Sequence, residues 1–183
     1  MKWKIIDCFD LVHLKINKKN IPRYSLRAHV GPVEEYEGLP KEFIVYFKLL
    51  CGLKMNETIL DIGCGTGRFA SQLIASPNFF QGEYCGFDVY KKAIDWANAN
   101  IASKHSNYKF KFVDLWNGHY NRHGKLKAST FSFPYEDEKF DFVFAMSVFT
   151  HLLPEDCENY LQQISRVLKP KRKALLTFLL LNG

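Results

Sequence analysis

The sequence predicts an α/β domain: a doubly wound, mostly parallel sheet of five core strands with helices on both faces. Two observations lead there. Thr58-Ile59-Leu60-Asp61-Ile62 reads as a buried strand that runs into glycines at 63, 65 and 67 and then into a helical run from Phe69. Further apolar, strand-like runs, Tyr84–Asp88 and Phe140–Met146, recur downstream with helical patterns between and after them. Strand, glycine turn and helix in that order let a backbone touch a nucleotide-like ligand.

Each element has its own signal. Residues 1–38 stand apart, with Pro22, Gly31, Pro32 and Gly38 and an apolar pattern that does not settle on one period. Trp3 to Ile16 is expected to be a strand pair or an irregular arm. Pro40 suits the first turn of a helix that carries Phe43, Ile44, Phe47 and Leu50 on one face and closes at Gly52. After the first strand, Phe69–Ile74 continues as a helix, and Tyr84–Asp88 is the second strand. Tyr90–Ala97 is a helix whose Ala93, Ile94, Ala97 and Ile101 share a side. Tyr108–Val113 alternates aromatic and basic residues with period two, as a half-exposed strand does. Residues 116–135 show no period and read as a loop. The fourth strand is Phe140–Met146. Pro154 then opens a helix with Cys157, Tyr160, Leu161, Ile164, Val167 and Leu168 on its buried face, and Ala174–Leu180 is the fifth strand. The expected division is an arm, 1–38, over a ligand site and a core domain, 39–183.

The ligand is narrowed by charge. A dinucleotide turn places glycine at its first, third and sixth positions, but here the sixth is Arg68 and the fifth Gly67. Asp61 precedes the first glycine by two residues, where a carboxylate repels a pyrophosphate and attracts an ammonium or sulfonium. Asp88 ends the second strand, 21 residues beyond Gly67, where an acid accepts hydrogen bonds from ribose hydroxyls. Ribose, positive charge and no pyrophosphate describe S-adenosylmethionine. A nicotinamide-linked oxidoreductase is the weaker reading for the same reason.

With these residues in place, the chain resembles the class I S-adenosylmethionine-dependent methyltransferase family from about Leu39 to Leu180, in its small-molecule type. Asp61 to Gly67 resembles the family's glycine motif, Asp88 its ribose-binding acid, and Val113-Asp114-Leu115 the segment beside the adenine. Phe140–Phe144 resembles the fourth strand and Arg166-Val167-Leu168-Lys169-Pro170 the helix end before the fifth. The resemblance implies that Gly63, Cys64 and Gly65 approach the methionine portion and ribose, with Asp61 near the ammonium. It implies Val89 and Leu115 against the adenine ring, Asp114 on its amino group, and Ser147 on the methionine side. His151 is a candidate base, with packing at a helix start as the equal alternative, whereas His119 and His123 read as solvated. Ile21–Arg27 resembles an arm over the cofactor pocket of small-molecule members. From it Arg23 or Arg27 would reach a carboxylate, unless both are surface residues. The family's glycine pair after Lys169-Pro170 is replaced by Lys171-Arg172, which implies a turn of another type. The family's last two strands are missing, so the chain reads as a shortened domain with an apolar sheet edge that invites oligomerisation.

Bulk properties exclude little but consistently. With 47% apolar and 24% charged residues among 183, one globular domain with a sizeable core is expected. No apolar run reaches the ~20 residues of a membrane span, and Asp7 and Asp10 break up what would be a leader, so a cytoplasmic protein without a membrane partner is expected. Five scattered cysteines fit reduced thiols and no metal site. The net charge of +6 is concentrated: residues 1–30 hold seven Lys/Arg against two acids, and residues 104–127 six against one. Such patches suit an anionic partner or merely solvate a face. The leading expectation is methyl transfer to a small-molecule oxygen or nitrogen. An RNA acceptor is the competitor, although no Asn-Pro-Pro-Tyr run follows the fourth strand. A cofactor-binding module without turnover is the alternative of a different class.

Overall fold

The structure, a computed structural model, describes residues 2–16 and 21–178. Five parallel strands form one sheet in the order β3-β2-β1-β4-β5. They are β1 (Ile59–Ile62), β2 (Tyr84–Asp88), β3 (Tyr108–Phe112), β4 (Phe140–Ala145) and β5 (Leu168–Leu176). The α-helices among the described residues are α1 (Lys2–Ile16), α2 (Tyr24–Arg27), α3 (Gly38–Leu49), α4 (Arg68–Ile74), α5 (Lys91–Ala97) and α6 (Pro154–Val167). The predicted α/β class and parallel sheet are therefore present. The strand order reverses beside β1, which opens a crevice at the carboxyl ends of β1 and β4 where such folds bind ligands.

Alternation along β1 splits its side chains between two cores. Ile59 faces Phe47, Phe69, Phe142 and Phe144, under α3 and α4. Leu60 and Ile62 face Phe87, Phe133, Tyr160 and Val167, under α6. Buried on both faces, β1, β2 and β4 read as continuous apolar runs, as central parallel strands do. Ala93, Ile94, Ala97 and Ile101 are all buried, the last through a π-helical turn at Asn98–Ala102. No helix among the described residues is long and apolar enough to cross a membrane.

Four local expectations are corrected. Trp3 to Ile16 is neither a strand pair nor irregular but lies within the helix α1. Its Asp7 and Asp10 project three residues apart onto α2, where they replace the partners that α2's first N–H groups lack. Ser25 N–H donates to Asp7 at 2.8 Å and Tyr24 N–H to Asp10 at 2.7 Å. Leu50 lies past the end of α3 and is exposed, because the chain is already turning toward Gly52 at φ +71. Leu161 is exposed on α6, where Tyr160, Ile164 and Val167 fill the buried stripe. β5 begins at Leu168, six residues earlier than expected, through a register shift against β4. At that shift Lys171 takes φ +63, the left-handed conformation a glycine would adopt freely. Arg172 is then aimed at Glu57 (2.6 Å) and Asp141 (3.0 Å), with Lys169 also on Asp141 (2.9 Å). The predicted strand end at Leu179-Leu180 lies outside the described residues.

Candidate cofactor site

The glycine turn leaves β1 with its backbone pinned to the neighbouring strand. Gly63 and Cys64 both donate N–H to the Phe87 carbonyl, at 2.9 and 3.1 Å. Gly63 and Gly65 have φ of +75 and +53, and each is pressed by a valine. A Cβ on Gly63 would lie 2.5 Å from Val148, and one on Gly65 would lie 2.7 Å from Val30. Val148 belongs to the segment after β4 and Val30 to the arm, so two distant pieces of chain close on a turn that has no side chains. Gly67 stands behind this turn against Ile101 and Phe110, where it lets α4 approach β3 and does not face the ligand space.

In front of the turn lies a cavity of about 310 Å³. Asp61, Gly63, Cys64 and Gly65 form its floor, Asp88, Val89 and Tyr90 one side, and Ser147, Val148 and His151 the other. The N-terminal arm closes it with His29, Val30, Pro32 and Glu35. Eight of the expected site residues therefore meet around one space. Asp114 and Leu115 do not join them. Asp114 accepts a hydrogen bond from Asn121 at 3.0 Å, and Leu115 is buried in the core and bridged to Leu126. In their place the loop after β3 presents Asn117 and Tyr120 to the cavity.

Two carboxylates define the electrostatics. Asp61 is almost wholly buried on β1 beside Gly86, and Tyr84 donates its hydroxyl to it from the next strand. Burial pushes its pKa up to about 8, against the opposing pull of the Tyr84 hydroxyl and of Arg68. Asp88 accepts from Gly65 N–H at 2.8 Å and from Tyr90 N–H at 2.7 Å. Burial raises it too, and these backbone donors restrain the rise. Each Asp88 oxygen retains a second acceptor direction for a ligand hydroxyl.

His29, Val30, Pro32 and Glu35 of the arm line the cavity, but the arm's arginines do not. Arg27 is buried, paired with Asp10 at 2.8 Å and donating to the Pro22 carbonyl at 2.5 Å. Arg23 is held 3.4 Å from Asp7. Neither arginine lines the cavity; Arg23 is a surface residue, as the alternative expected, while Arg27 is buried and so departs from both expectations. The cation that does line the cavity is Arg68, the first residue of α4, whose pKa burial lowers. Nothing in the sequence but its place after Gly67 marks it. Also unforeseen is a run of rings along the mouth. His29 stacks on Tyr90 at 5.1 Å, Tyr90 meets Tyr120 at 6.1 Å, and Tyr120 meets His151 edge-on at 6.5 Å. Four separate segments supply these rings, so no local pattern announces them. Ser147 sits at φ +57, strained for a non-glycine residue, and donates its N–H to Thr177 Oγ1 at 2.8 Å.

These groups fit S-adenosylmethionine: a backbone cradle without Cβ atoms, a buried acid for an ammonium, and a second acid with acceptor capacity for a ribose. Comparisons with known proteins agree. A family profile described as "Methyltransferase domain" matches residues 60–176. An O-methyltransferase of Penicillium expansum is 26% identical over 123 residues, 66% of this chain and 37% of that protein. A tRNA N(3)-cytidine methyltransferase of Gallus gallus is 30% identical over 129 residues, 68% of this chain and 31% of that protein. A phosphoethanolamine N-methyltransferase of Haemonchus contortus, solved with S-adenosyl-L-methionine, shares the fold at TM-score 0.57 and 21% identity, covering 74% of this chain and 27% of that one. The chain spans between 31% and 51% of the length of the curated relatives it matches.

Proposed function

The chain belongs to the methyltransferase family that this domain defines, a family that uses S-adenosylmethionine, and on that premise we propose that it methylates a small-molecule acceptor at oxygen or nitrogen. The observation that carries the reading is the arm: His29, Val30, Pro32 and Glu35 wall the cavity beside which an acceptor must approach the cofactor, and an approach narrowed in this way suits a compact molecule better than a polynucleotide. The O-methyltransferase relative supports it.

Bound S-adenosylmethionine supplies an activated methyl carbon that an acceptor displaces in line. The protein's part is then to hold and orient. Asp61 balances the ammonium, while Gly63, Cys64 and Gly65 let backbone lie against the methionine and ribose. Asp88 takes the ribose hydroxyls. Val89 packs on the adenine, a task the sequence shares with Asp114 and Leu115 but which falls to Tyr90 and Asn117 on the cavity wall. Ser147 borders the methionine side. His151 takes the proton when the acceptor is a hydroxyl.

An RNA acceptor draws support from the tRNA-methylating relative and from the basic segment 104–127. Part of that charge is already engaged, Lys109 with Glu83 at 3.1 Å and Lys111 with the Pro134 carbonyl at 3.0 Å. The test is radiolabelled methyl transfer to phenol, carboxylate and amine panels in parallel with bulk tRNA, with S-adenosylhomocysteine binding followed by calorimetry. Transfer to a small acceptor and none to tRNA is expected. Labelling of tRNA alone overturns the acceptor class, and binding without any transfer leaves a cofactor-binding module.

A further inference from the structure

Helix α1 is folded with its amphipathicity inverted. A surface helix ordinarily turns its apolar stripe to the core and its charges to water. Here the inner row is Asp7, Asp10 and Leu14, and Asp7 is only 8% exposed. Both acids are consumed by α2, through Ser25 N–H and Oγ, Tyr24 N–H, Arg23 and Arg27. The outer row, at the same helical spacing, is Ile5, Phe9 and Val12, exposed by 58%, 73% and 54%. Trp3 stands half-exposed at one end, against Tyr24. Lys4 and Lys15 are exposed on the adjoining row.

From this arrangement we infer that α1 docks on an anionic lipid surface. Charge argues for it first. The two acids of residues 1–30 are both turned inward, so the outward face of α1 offers the lipid apolar side chains and lysines with no carboxylate among them. Area argues for it second. Ile5, Phe9 and Val12 form a continuous stripe on the order of 300 Å², and Leu11 (49% exposed) and Trp3 (50%) extend the apolar surface on the flanking rows to roughly 600 Å², still short of the ~800 Å² per partner that a stable protein contact covers. A stripe of that size flanked by lysines suits shallow insertion at a headgroup boundary, where the ammonium groups stay in water. The absence of a spanning helix among the described residues does not bear on this mode, which lies along the surface. The inference is independent of the methyl acceptor.

The experiment is co-sedimentation of the protein with vesicles of phosphatidylcholine alone and of phosphatidylcholine with 30% phosphatidylglycerol. Binding to the anionic vesicles is expected, falling with added salt. Phe9→Asp should lower the partition coefficient by more than tenfold. The double variant Lys4→Gln, Lys15→Gln should lower it by roughly 25-fold, at about fivefold per lysine near an anionic surface. S-adenosylhomocysteine binding should be unchanged in both, which shows that the domain remains folded. The lysine variant alters no buried contact and decides the matter if Phe9→Asp fails to fold. No binding to anionic vesicles, or equal binding to both kinds, overturns the inference. So does a concentration-dependent dimer that Phe9→Asp abolishes while vesicles leave it untouched, since the face would then belong to a second copy.

Discussion

A carboxyl group with a pKa of about 8, placed where a cationic ligand is to bind, makes the affinity for that ligand depend on pH. Between pH 6 and pH 7.5 the ionised fraction of Asp61 rises from about 1% to about 24%, roughly 25-fold. If the ammonium of S-adenosylhomocysteine binds only the carboxylate form, its association constant should rise by a comparable factor over that range. Each binding event should also release close to one proton at pH 6.5. Calorimetry in buffers of different ionisation enthalpy measures both quantities. Asp61→Asn should bind weakly with a flat profile. Tyr84→Phe, which removes the hydroxyl that favours the carboxylate, should move the rise to higher pH. Stability supplies a second readout with its own sign. The folded pKa lies above the unfolded value of 3.8, so the native state binds the proton more tightly. The unliganded protein should lose stability as pH climbs from about 4 to 8, and Asp61→Asn should remove that part of the loss. An affinity that is flat from pH 6 to 7.5 in the wild-type protein refutes the reasoning. So does an Asp61→Asn variant with unaltered affinity.

Three further outcomes are expected. Lys171→Gly should stabilise the domain by about 0.5–1 kcal/mol, since the left-handed residue costs a side chain more than a glycine; the urea midpoint measures it. Gly86→Ala should cost about 1–3 kcal/mol and weaken S-adenosylhomocysteine binding, because its Cβ would lie 2.7 Å from that of Cys64 in the ligand turn. Arg27→Ala should loosen α1 by removing the buried countercharge of Asp10, which keeps its bond from the Tyr24 N–H; hydrogen exchange would detect this as reduced protection in residues 2–16 with the sheet amides unchanged.

Much of the fold was legible because its signals are local. Apolar runs marked β1, β2 and β4, and the glycines at 63 and 65 marked a turn whose positive φ angles admit little else. Asp61 and Asp88 could be placed at the cavity for the same reason: each lies at a fixed offset from a strand end. The failures are non-local. Trp3–Ile16 resisted a period because α1 buries acids and exposes apolar residues, opposite to the pattern that sequence reading assumes. Arg27 was misplaced because its partner, Asp10, lies 17 residues upstream on another helix. Asp114 and Leu115 were aligned with a motif, yet Asp114 is bonded to Asn121 and Leu115 is buried and bridged to Leu126, and from this segment it is Asn117 and Tyr120 that line the cavity. Arg68 and the rings of His29, Tyr90 and Tyr120 share no sequence neighbourhood, so only folding assembles them.

Sequences that fold well satisfy local rules at every level, and the exceptions concentrate where function requires them. Three exceptions stand out here. An aspartate occupies a central strand that is otherwise apolar, which raises its pKa and disfavours its charge. A serine at 147 takes a left-handed backbone beside the same cavity. The first two point into one space, and a ligand with a positive charge relieves at least the first by compensating the carboxylate. The third, α1, breaks the rule of amphipathicity and faces outward, away from the α2 face its acids engage. Its acids are satisfied within the fold, so nothing internal is left for a ligand to relieve. What is unsatisfied is the exposure to water of Ile5, Phe9 and Val12, which an apolar surface beyond the described residues would relieve.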